Sequence, residues 1–215
     1  MIVMYKVYAR AGWGSSMAEA LLELAGLAYE IVEIDPRGNP ADRRKLAALN
    51  PMVQLPTIET PDGNVLTESG AMALYIAEQA PEAGLAPLIG DRLRAPWLRW
   101  QVFLVANIYA SFMIEDMPER WSDNEERRAD LAARSIAYRA ELYRIVETNA
   151  GMPWFLGTPF STIDVFISIM TRWAPRRDWF EVNCPKLHSI AVAVDEMPAL
   201  AKVWKRNFGP DKQYQ

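Results

Sequence analysis

The first 80 residues alternate between strand-like and helix-like segments, and this order constrains the fold more than any other feature. Segment 2–9 alternates and is rich in β-branched and aromatic side chains, which is typical of a strand. Segment 15–27 has the apolar spacing of an amphipathic helix that ends at Gly26. The later segments are a strand at 28–35, a short helix at 42–49, a hairpin with strands at Thr57–Glu59 and Val65–Leu66, and a helix at 70–80. Because a strand-helix-strand start requires a crossover, we expect a parallel first pair of strands with the hairpin as an antiparallel edge.

A change in composition marks the end of this small α/β region. Residues 81–91 are rich in proline, glycine and small side chains, as expected of a linker. Beyond them the patterns are helical throughout, and capping signals at Ser122 and Ser161 precede two of the helices. The sequence therefore predicts a two-domain α+β protein. Its parts are an α/β domain over 1–80 in the order β-α-β-α-β-β-α, a linker over 81–91 and an all-helical domain over 92–215.

Charge and cysteine content argue against several classes of function. The formal charge is −4, and the basic residues are scattered, which argues against a general nucleic-acid binder. The single cysteine, Cys184, excludes an intrachain disulfide, and with the single histidine, His188, it is too little for a zinc site or a Cys–His catalytic pair. The N-terminus lacks a secretory pattern, and no apolar run approaches the ~18 residues of a membrane span. We therefore expect a protein of the reducing cytoplasm that binds no nucleic acid, metal or membrane.

Two serines stand where the first strand leads into the first helix, in the stretch Gly12-Trp13-Gly14-Ser15-Ser16. Ligands of open α/β sheets bind beyond the carboxyl ends of strands, and a helix N-terminus offers unpaired amides to an anion. Ser16, with Glu19 three residues later, has the spacing of a capping box and is predicted to cap the helix. The pattern leaves two roles open for Ser15: a structural role, or a role as hydrogen-bond donor to a ligand. A hydroxyl there would lower the pKa of a thiol, since it stabilises the thiolate.

Two further segments of the first domain carry groups suited to an amino-acid ligand. Pro56 opens a strand, and a cis bond after Leu55 would turn the Leu55 backbone toward an extended, peptide-like ligand. The alternative is an ordinary turn proline. Glu68 and Ser69 precede the third helix, where the serine hydroxyl and first-turn amides suit a carboxylate and Glu68 suits an ammonium group. Ser69 alone is equally typical of a helix cap, so the specificity lies in the combination.

In these segments the sequence resembles the cytosolic-type glutathione transferases, and among them the bacterial type. "NPMVQLPTI" is similar to the family's NPxGxVPxL segment, and "LTESGAMALYIAEQ" to its (L/I)xES-x-AI-x-YL segment. "GTPFSTIDVFISIM" resembles the capping motif of the family's helical domain. The resemblance covers essentially the whole chain. It implies a thioredoxin-like N-terminal domain, an all-helical C-terminal domain, a homodimer, and glutathione as co-substrate with no metal.

The resemblance also implies how glutathione is held. Glu68 and Ser69 would bind its γ-glutamyl end. Leu55, before a cis Pro56, would pair its backbone with the cysteinyl unit. Gln54 falls where the family often has a polar or basic residue near the glycyl carboxylate.

For the sulfur itself the resemblance indicates Ser15, with Tyr8 as the second choice. The other interpretation of Tyr8 is a strand residue packed into the core. Beta-like members have a cysteine at the position of Gly14, which argues against covalent thiol chemistry here. Two further departures are Val53, where the family has glycine and where the loop is expected to differ in shape, and Glu19, where an arginine commonly follows a catalytic serine.

A second substrate would meet the glutathione sulfur beside a long apolar helix predicted over 92–117. Candidate residues for it are Asn107, Tyr109 and Trp173, although most of this apolar stripe is expected to be core. We therefore interpret the chain as a glutathione transferase that joins the glutathione thiolate to a small hydrophobic electrophile. Two alternatives remain: glutathione-dependent reduction of peroxides or disulfides, and a non-catalytic binding or scaffold protein of the same fold.

Overall fold

The first part of the chain is built on a mixed sheet in the computed structural model, which describes residues 4–209. Its elements are β1 (Tyr5–Ala9), α1 (Ser15–Leu24), β2 (Tyr29–Glu33), α2 (Pro40–Leu49), β3 (Thr57–Glu59), β4 (Val65–Leu66) and α3 (Ser69–Gln79). The strand order is β2-β1-β3-β4, with β1 and β2 parallel and the other pairs antiparallel. This confirms the predicted thioredoxin-like order. The predicted strand residues 2 and 3 lie outside the described residues.

Successive residues of β1 point to opposite faces of the sheet, so side chains on each face need a helix to pack against. Tyr8 packs in a cluster with Leu46 of α2, Ile34 and Leu55. Helices α1 and α3 pack against each other, and each carries fully buried apolar side chains. These side chains are Met17, Leu21 and Leu22 in α1, and Met72, Ala73 and Ile76 in α3.

The second part of the chain is helical. Its elements are α4 (Arg94–Phe103), a π-helical segment (Leu104–Tyr109), α5 (Ala110–Asp116), α6 (Glu125–Asn149), α7 (Thr162–Met170), α8 (Arg177–Asn183) and α9 (Pro185–Asp195). Every residue of α7 is buried, which makes it the central helix of this part. The Trp97 indole donates to Thr162 Oγ1 at 3.0 Å, and that hydroxyl donates to Gln101 Oε1 at 2.6 Å. These bonds satisfy polar groups that would otherwise be costly to bury.

The helix boundaries confirm one predicted cap and correct two other predictions. Ser161 and Asp164 form a capping box at the start of α7, as predicted. The cap predicted at Ser122 is wrong, because Asn124 caps α6 by accepting from the Arg127 amide at 2.9 Å. The helix predicted over 92–117 is continuous over 94–116, but it is not α-helical throughout: between α4 and α5 the segment Leu104–Tyr109 is π-helical, so the backbone changes its hydrogen-bond spacing halfway along.

The last helix, α10 (Ala201–Phe208), packs with the sheet-containing part of the chain. The described residues fall into two compact units: one runs up to Ala86 and resumes at Asp195, and the other spans Pro87–Val194. This division differs from the predicted domains 1–80 and 92–215 mainly at the C-terminal end. The physical reason is a set of polar contacts between α10 and α1 that are remote in sequence.

Candidate active site

The sheet register brings the three predicted ligand segments of the first unit to one edge. Tyr8, near the carboxyl end of β1, pairs with Thr57 at the start of β3. Leu66, at the end of β4, pairs with Ile58. Because β1 and β4 both run antiparallel to β3, the segments after β1 and β4 emerge beside the segment that precedes β3. These segments are Gly12–Ser15, Glu68–Ser69 and Gln54–Pro56, respectively.

Ser15 is fully buried at the first position of α1. Its hydroxyl donates to the Arg10 carbonyl oxygen at 3.1 Å and accepts from the Arg10 amide at 3.2 Å. These two bonds close the loop between β1 and α1. A role at the glutathione sulfur would therefore require Ser15 Oγ to exchange its bond to the Arg10 carbonyl for a bond to the thiolate.

The capping box predicted for Ser16 and Glu19 is wrong. Gly14 is the N-cap of α1 without a side-chain cap, and the Ser16 hydroxyl donates to the Trp13 carbonyl oxygen at 2.8 Å. Glu19 is buried and instead accepts from Arg206 Nη1 at 2.7 Å and from the Asn207 side-chain amide at 2.8 Å. The Glu19 carboxylate is therefore paired with Arg206, which is positively charged and remote in sequence, and not with the neighbouring Ser16.

Trp13 lies in the same loop, and two guanidinium groups contact its ring. Those of Arg10 and Arg37 stand 5.0 Å and 4.5 Å from the centroid of its ring. Arg10 also forms an ion pair with Asp35. These cation–π contacts hold the half-buried indole in place.

The segment before β3 is held by Asn50, which directly precedes Pro51. The Asn50 side-chain amide donates to the Gln54 carbonyl oxygen at 3.0 Å and to Thr57 Oγ1 at 3.1 Å. The Leu55–Pro56 peptide bond is cis, as the sequence-based hypothesis requires. Both residues are buried, whereas Gln54 is partly exposed.

Glu68 and Ser69 begin α3 with an unusual backbone. Glu68 is exposed and has φ 64° and ψ 106°, a conformation that costs a non-glycine residue about 1–3 kcal/mol. Such outliers cluster at ligand-binding positions. Ser69 is 6% exposed, and within residues 4–209 its hydroxyl makes no hydrogen bond. The pair thus presents a carboxylate, a hydroxyl and first-turn amides at one helix start.

Tyr8 belongs to the core cluster against α2. Its hydroxyl donates to Glu59 Oε2 at 3.5 Å, and Lys45 Nζ lies 5.7 Å from its ring centroid. Burial, followed by the nearby Glu59 carboxylate, raises the pKa of Tyr8 above its usual range. The phenol is therefore protonated at neutral pH, and its contacts are those of a packed strand residue.

The second unit contains an aromatic cluster around two of the three predicted electrophile residues. The rings of Tyr109 and Trp173 stack with centroids 5.8 Å apart, and Phe112 meets Trp173 edge-on at 5.2 Å. Asn107 lies outside this ring cluster: its side chain is exposed and donates to the Phe103 carbonyl oxygen at 3.3 Å. The structure thus brings Tyr109 and Trp173 together and leaves Asn107 apart.

Comparison with known proteins identifies the family. The chain is 36% identical over 208 residues to the uncharacterized GST-like protein YncG of Escherichia coli K12, covering 95% of this chain and 98% of that protein. The chain belongs to the glutathione S-transferase superfamily. Residues 15–79 match the family model of the glutathione S-transferase N-terminal domain.

Two further superfamily members extend the comparison. The chain is 23% identical to glutathione S-transferase GstA of Escherichia coli O157:H7 over 196 residues, which cover 89% of this chain and 92% of that protein. A glutathione transferase homologue from Sulfitobacter, solved with bound glutathione, superposes with a TM-score of 0.82. That alignment has 25% identity and covers 94% of this chain and 97% of the homologue.

Two of the departures from the superfamily motifs, at Val53 and at Glu19, have a structural counterpart. Val53, at the motif's glycine position, has φ 53°, so the backbone takes the left-handed conformation that glycine prefers. Glu19, at the position of the usual arginine, is paired with Arg206 of α10. At Val53 the glycine-like backbone conformation is kept, and at Glu19 the carboxylate is paired with an arginine from another element.

Sequence patterns gave no indication that residues of α10 contact the loop that carries Ser15. The Asn207 carboxamide oxygen accepts from the Gly12 amide at 3.3 Å, and Gly12 lies in the loop that carries Ser15. The one available signal was Glu19 itself, an acidic residue where the motif calls for a basic one. Over residues 4–209 no group of acidic, histidine or cysteine side chains is arranged to hold a metal ion. No helix in that range has the length and apolarity to cross a membrane.

Proposed function

We propose that this chain is a glutathione transferase that joins the glutathione thiolate to a small hydrophobic electrophile. The observation that carries the proposal is the convergence of Ser15, Leu55–Pro56 and Glu68–Ser69 at one sheet edge. Membership of the superfamily and the glutathione bound to the Sulfitobacter homologue support the choice of tripeptide.

Glutathione would lie extended across this edge. The Ser69 hydroxyl and the first-turn amides of α3 suit the γ-glutamyl carboxylate, and the exposed Glu68 carboxylate suits its ammonium group. The Leu55 backbone would pair with the cysteinyl unit, beside the cis bond to Pro56. Gln54 would lie near the glycyl carboxylate. Each end of the tripeptide would then meet a group of complementary charge or hydrogen-bonding character.

The reactive sulfur has to arrive with glutathione. Cys184 is fully buried, and burial raises the pKa of its thiol to about 12, so it is protonated at neutral pH. In the proposed reaction the glutathione thiol loses its proton to solvent, and the thiolate is stabilised by Ser15 and the first-turn amides of α1. Sulfur then bonds to the electrophilic carbon while the bond from that carbon to its leaving group breaks, and the leaving group departs into solvent as an anion with the bonding electron pair. The protein contributes the thiolate fraction and the positioning.

Ser15→Ala tests the proposal, with Ser16→Ala as its matched control. Both serines are fully buried neighbours, and only Ser15 is proposed to donate to sulfur. A hydrogen bond to a charged acceptor is worth about 1.5–3 kcal/mol, so kcat/KM with a chromogenic electrophile should fall about 10- to 100-fold in Ser15→Ala. Its pH profile should also move to higher pH. Ser16→Ala should retain near wild-type kinetics.

If Ser15→Ala keeps full activity and an unchanged pH profile, the role of thiol donor passes to Tyr8 or a backbone amide. Wild-type protein that neither turns over electrophiles nor gains thermal stability with glutathione would contradict the proposed function as a whole. Turnover of hydrogen peroxide or of hydroxyethyl disulfide in preference to electrophiles would assign the chain to glutathione-dependent reduction instead.

The electrophile is proposed to meet the aromatic cluster of the second unit. Stacked Tyr109 and Trp173 present flat apolar faces, which favour aromatic or other planar hydrophobic substrates. Both residues are partly exposed. Asn107, which is bonded to its own helix backbone, is the weaker candidate.

We also propose that the protein is a cytoplasmic homodimer. Along α4 and the π-helical segment, the exposed positions Ala95, Arg99, Val102 and Ala106 recur at helical spacing and form one mainly apolar stripe. On α6, Tyr138 and Ile145 are 58% and 47% exposed at a spacing of two turns. Exposed apolar faces of this kind are typical of subunit interfaces. Sedimentation velocity measures the oligomeric state directly.

A further inference from the structure

A polar network that is buried at Glu19 and Asn207 joins the C-terminal helix α10 to the loop that carries Ser15. Arg206 donates to Glu19 of α1 and to Glu33 of β2, each at 2.7 Å. Asn207, the next residue, is fully buried and 188 positions from Glu19, to which it donates at 2.8 Å. The network therefore fastens α10 to a helix and a strand of the first unit.

The side-chain amide of Asn207 is fully used within this network. Its nitrogen donates to Glu19 Oε2 at 2.8 Å and to the Val203 carbonyl oxygen at 3.0 Å. Its oxygen accepts from Arg206 Nη1 and from the Gly12 backbone amide, both at 3.3 Å. These contacts determine the orientation of the amide, since a flipped amide would place donors against donors.

Gly12 is the point where the chain turns from β1 into α1. Its φ of 79° lies in the region that favours glycine, and it stands three residues before Ser15. The loop is thus held at Gly12 by Asn207 and at Ser15 by the Arg10 backbone. Its geometry determines where the Ser15 hydroxyl and the first-turn amides of α1 lie.

We propose that Asn207 is a positioning residue for the thiol site, acting through the Gly12 amide on the loop between β1 and α1. This inference rests on the proposed function. Arg206 by itself bridges α10 to α1 and β2, so docking of the helix does not depend on Asn207 alone. The bond to Gly12 adds a specific restraint on the loop. A displacement of this loop by a fraction of an ångström weakens the donors that stabilise the thiolate.

Asn207→Ala tests the inference, with Val203→Ala as a matched control. Val203 is fully buried one turn earlier in α10, and its alanine variant loosens packing while its carbonyl oxygen is retained. The readouts are the pH dependence of kcat/KM and the ultraviolet absorbance of the thiolate in the glutathione complex. Asn207→Ala should shift the pH profile up by about one unit and lower kcat/KM about tenfold at neutral pH, the effect of one lost hydrogen bond. Val203→Ala should lose thermal stability with an unchanged profile.

Hydrogen exchange at the Gly12 amide of the wild-type protein provides a measurement that does not depend on the folding of a variant. Slow exchange supports the bond to Asn207, and exchange at the rate of an unprotected amide overturns the inference. Equal pH profiles for the Asn207 and Val203 variants also overturn it. Wild-type protein without thiolate absorbance or turnover refutes the proposed function, and the inference falls with it. Normal wild-type turnover with an unshifted Asn207→Ala profile refutes the inference alone.

Discussion

Removing the Asp164 carboxylate should strongly destabilise the helical unit. Asp164 is fully buried, and its Oδ1 accepts from the Phe155 amide at 2.7 Å. Its Oδ2 accepts from the Ser161 amide at 2.8 Å and from the Ser161 hydroxyl at 3.3 Å. One side chain therefore caps α7 and fastens the preceding loop to it.

The size of the effect follows from the two backbone amides. A buried donor left without a partner costs about 1–3 kcal/mol, so Asp164→Ala should lower the free energy of unfolding by about 2–6 kcal/mol. Asp164→Asn keeps one acceptor oxygen but turns an N–H donor toward the other amide. It should therefore lower the free energy of unfolding by about half as much as Asp164→Ala. Ser161→Ala removes the hydroxyl that donates to Asp164 Oδ2 and accepts from the Asp164 backbone amide, and should cost about 0.5–2 kcal/mol.

The pH dependence has a definite sign. Burial raises the pKa of Asp164 to about 7, and the hydrogen bonds from Phe155 and Ser161 oppose that rise without cancelling it. Since the folded-state pKa exceeds the unfolded one, the stability linked to protonation is fully present below about pH 4. It is lost as the pH rises through about 7, at no more than about 1.4 kcal/mol per pH unit.

Urea denaturation followed by circular dichroism, at several pH values between 5 and 8, measures both effects. As the pH rises from 5 to 8, the difference in the free energy of unfolding between wild type and Asp164→Ala should narrow by about 2 kcal/mol. A difference that stays constant or widens with pH would show that the hydrogen bonds, rather than burial, dominate the ionisation of Asp164. A total loss below about 1 kcal/mol would refute the capping argument itself.

Two other sites give further predictions. Arg139 is fully buried, paired with Glu115, and has its guanidinium 3.6 Å from the Phe112 ring centroid. Arg139→Ala should cost about 3–5 kcal/mol in urea denaturation. The exposed Arg134→Ala control, whose ion pair is solvated, should cost less than about 1 kcal/mol, and equal losses would contradict the argument. Val53→Gly should be more stable than Val53→Ala by about 1 kcal/mol in thermal melts, because only glycine relieves the positive φ; the opposite order would show that this backbone is not strained.

The site in the first unit was predictable in part, and the errors have a common cause. The pairing of Tyr8 with Thr57 and of Ile58 with Leu66 brings the predicted segments to one edge, as the order of strands already suggested. The predicted cap between Ser16 and Glu19 is wrong because Arg206, which is 187 residues away from Glu19, competes for the carboxylate. Contacts at that separation leave no periodic or local pattern to detect.

The sequence by itself determined what depends on neighbouring residues. The hairpin turn before Val65, the capping box at Ser161 and the order of strands and helices all follow from interactions over a few positions, where residue preference and hydrophobic period are decisive. Tertiary structure alone decided the left-handed backbone at Val53, the partners of Glu19 and the return of α10 to the first unit. Burial and long-range charge outweigh local preference at these places, because a buried polar group must find its partner wherever the fold provides one.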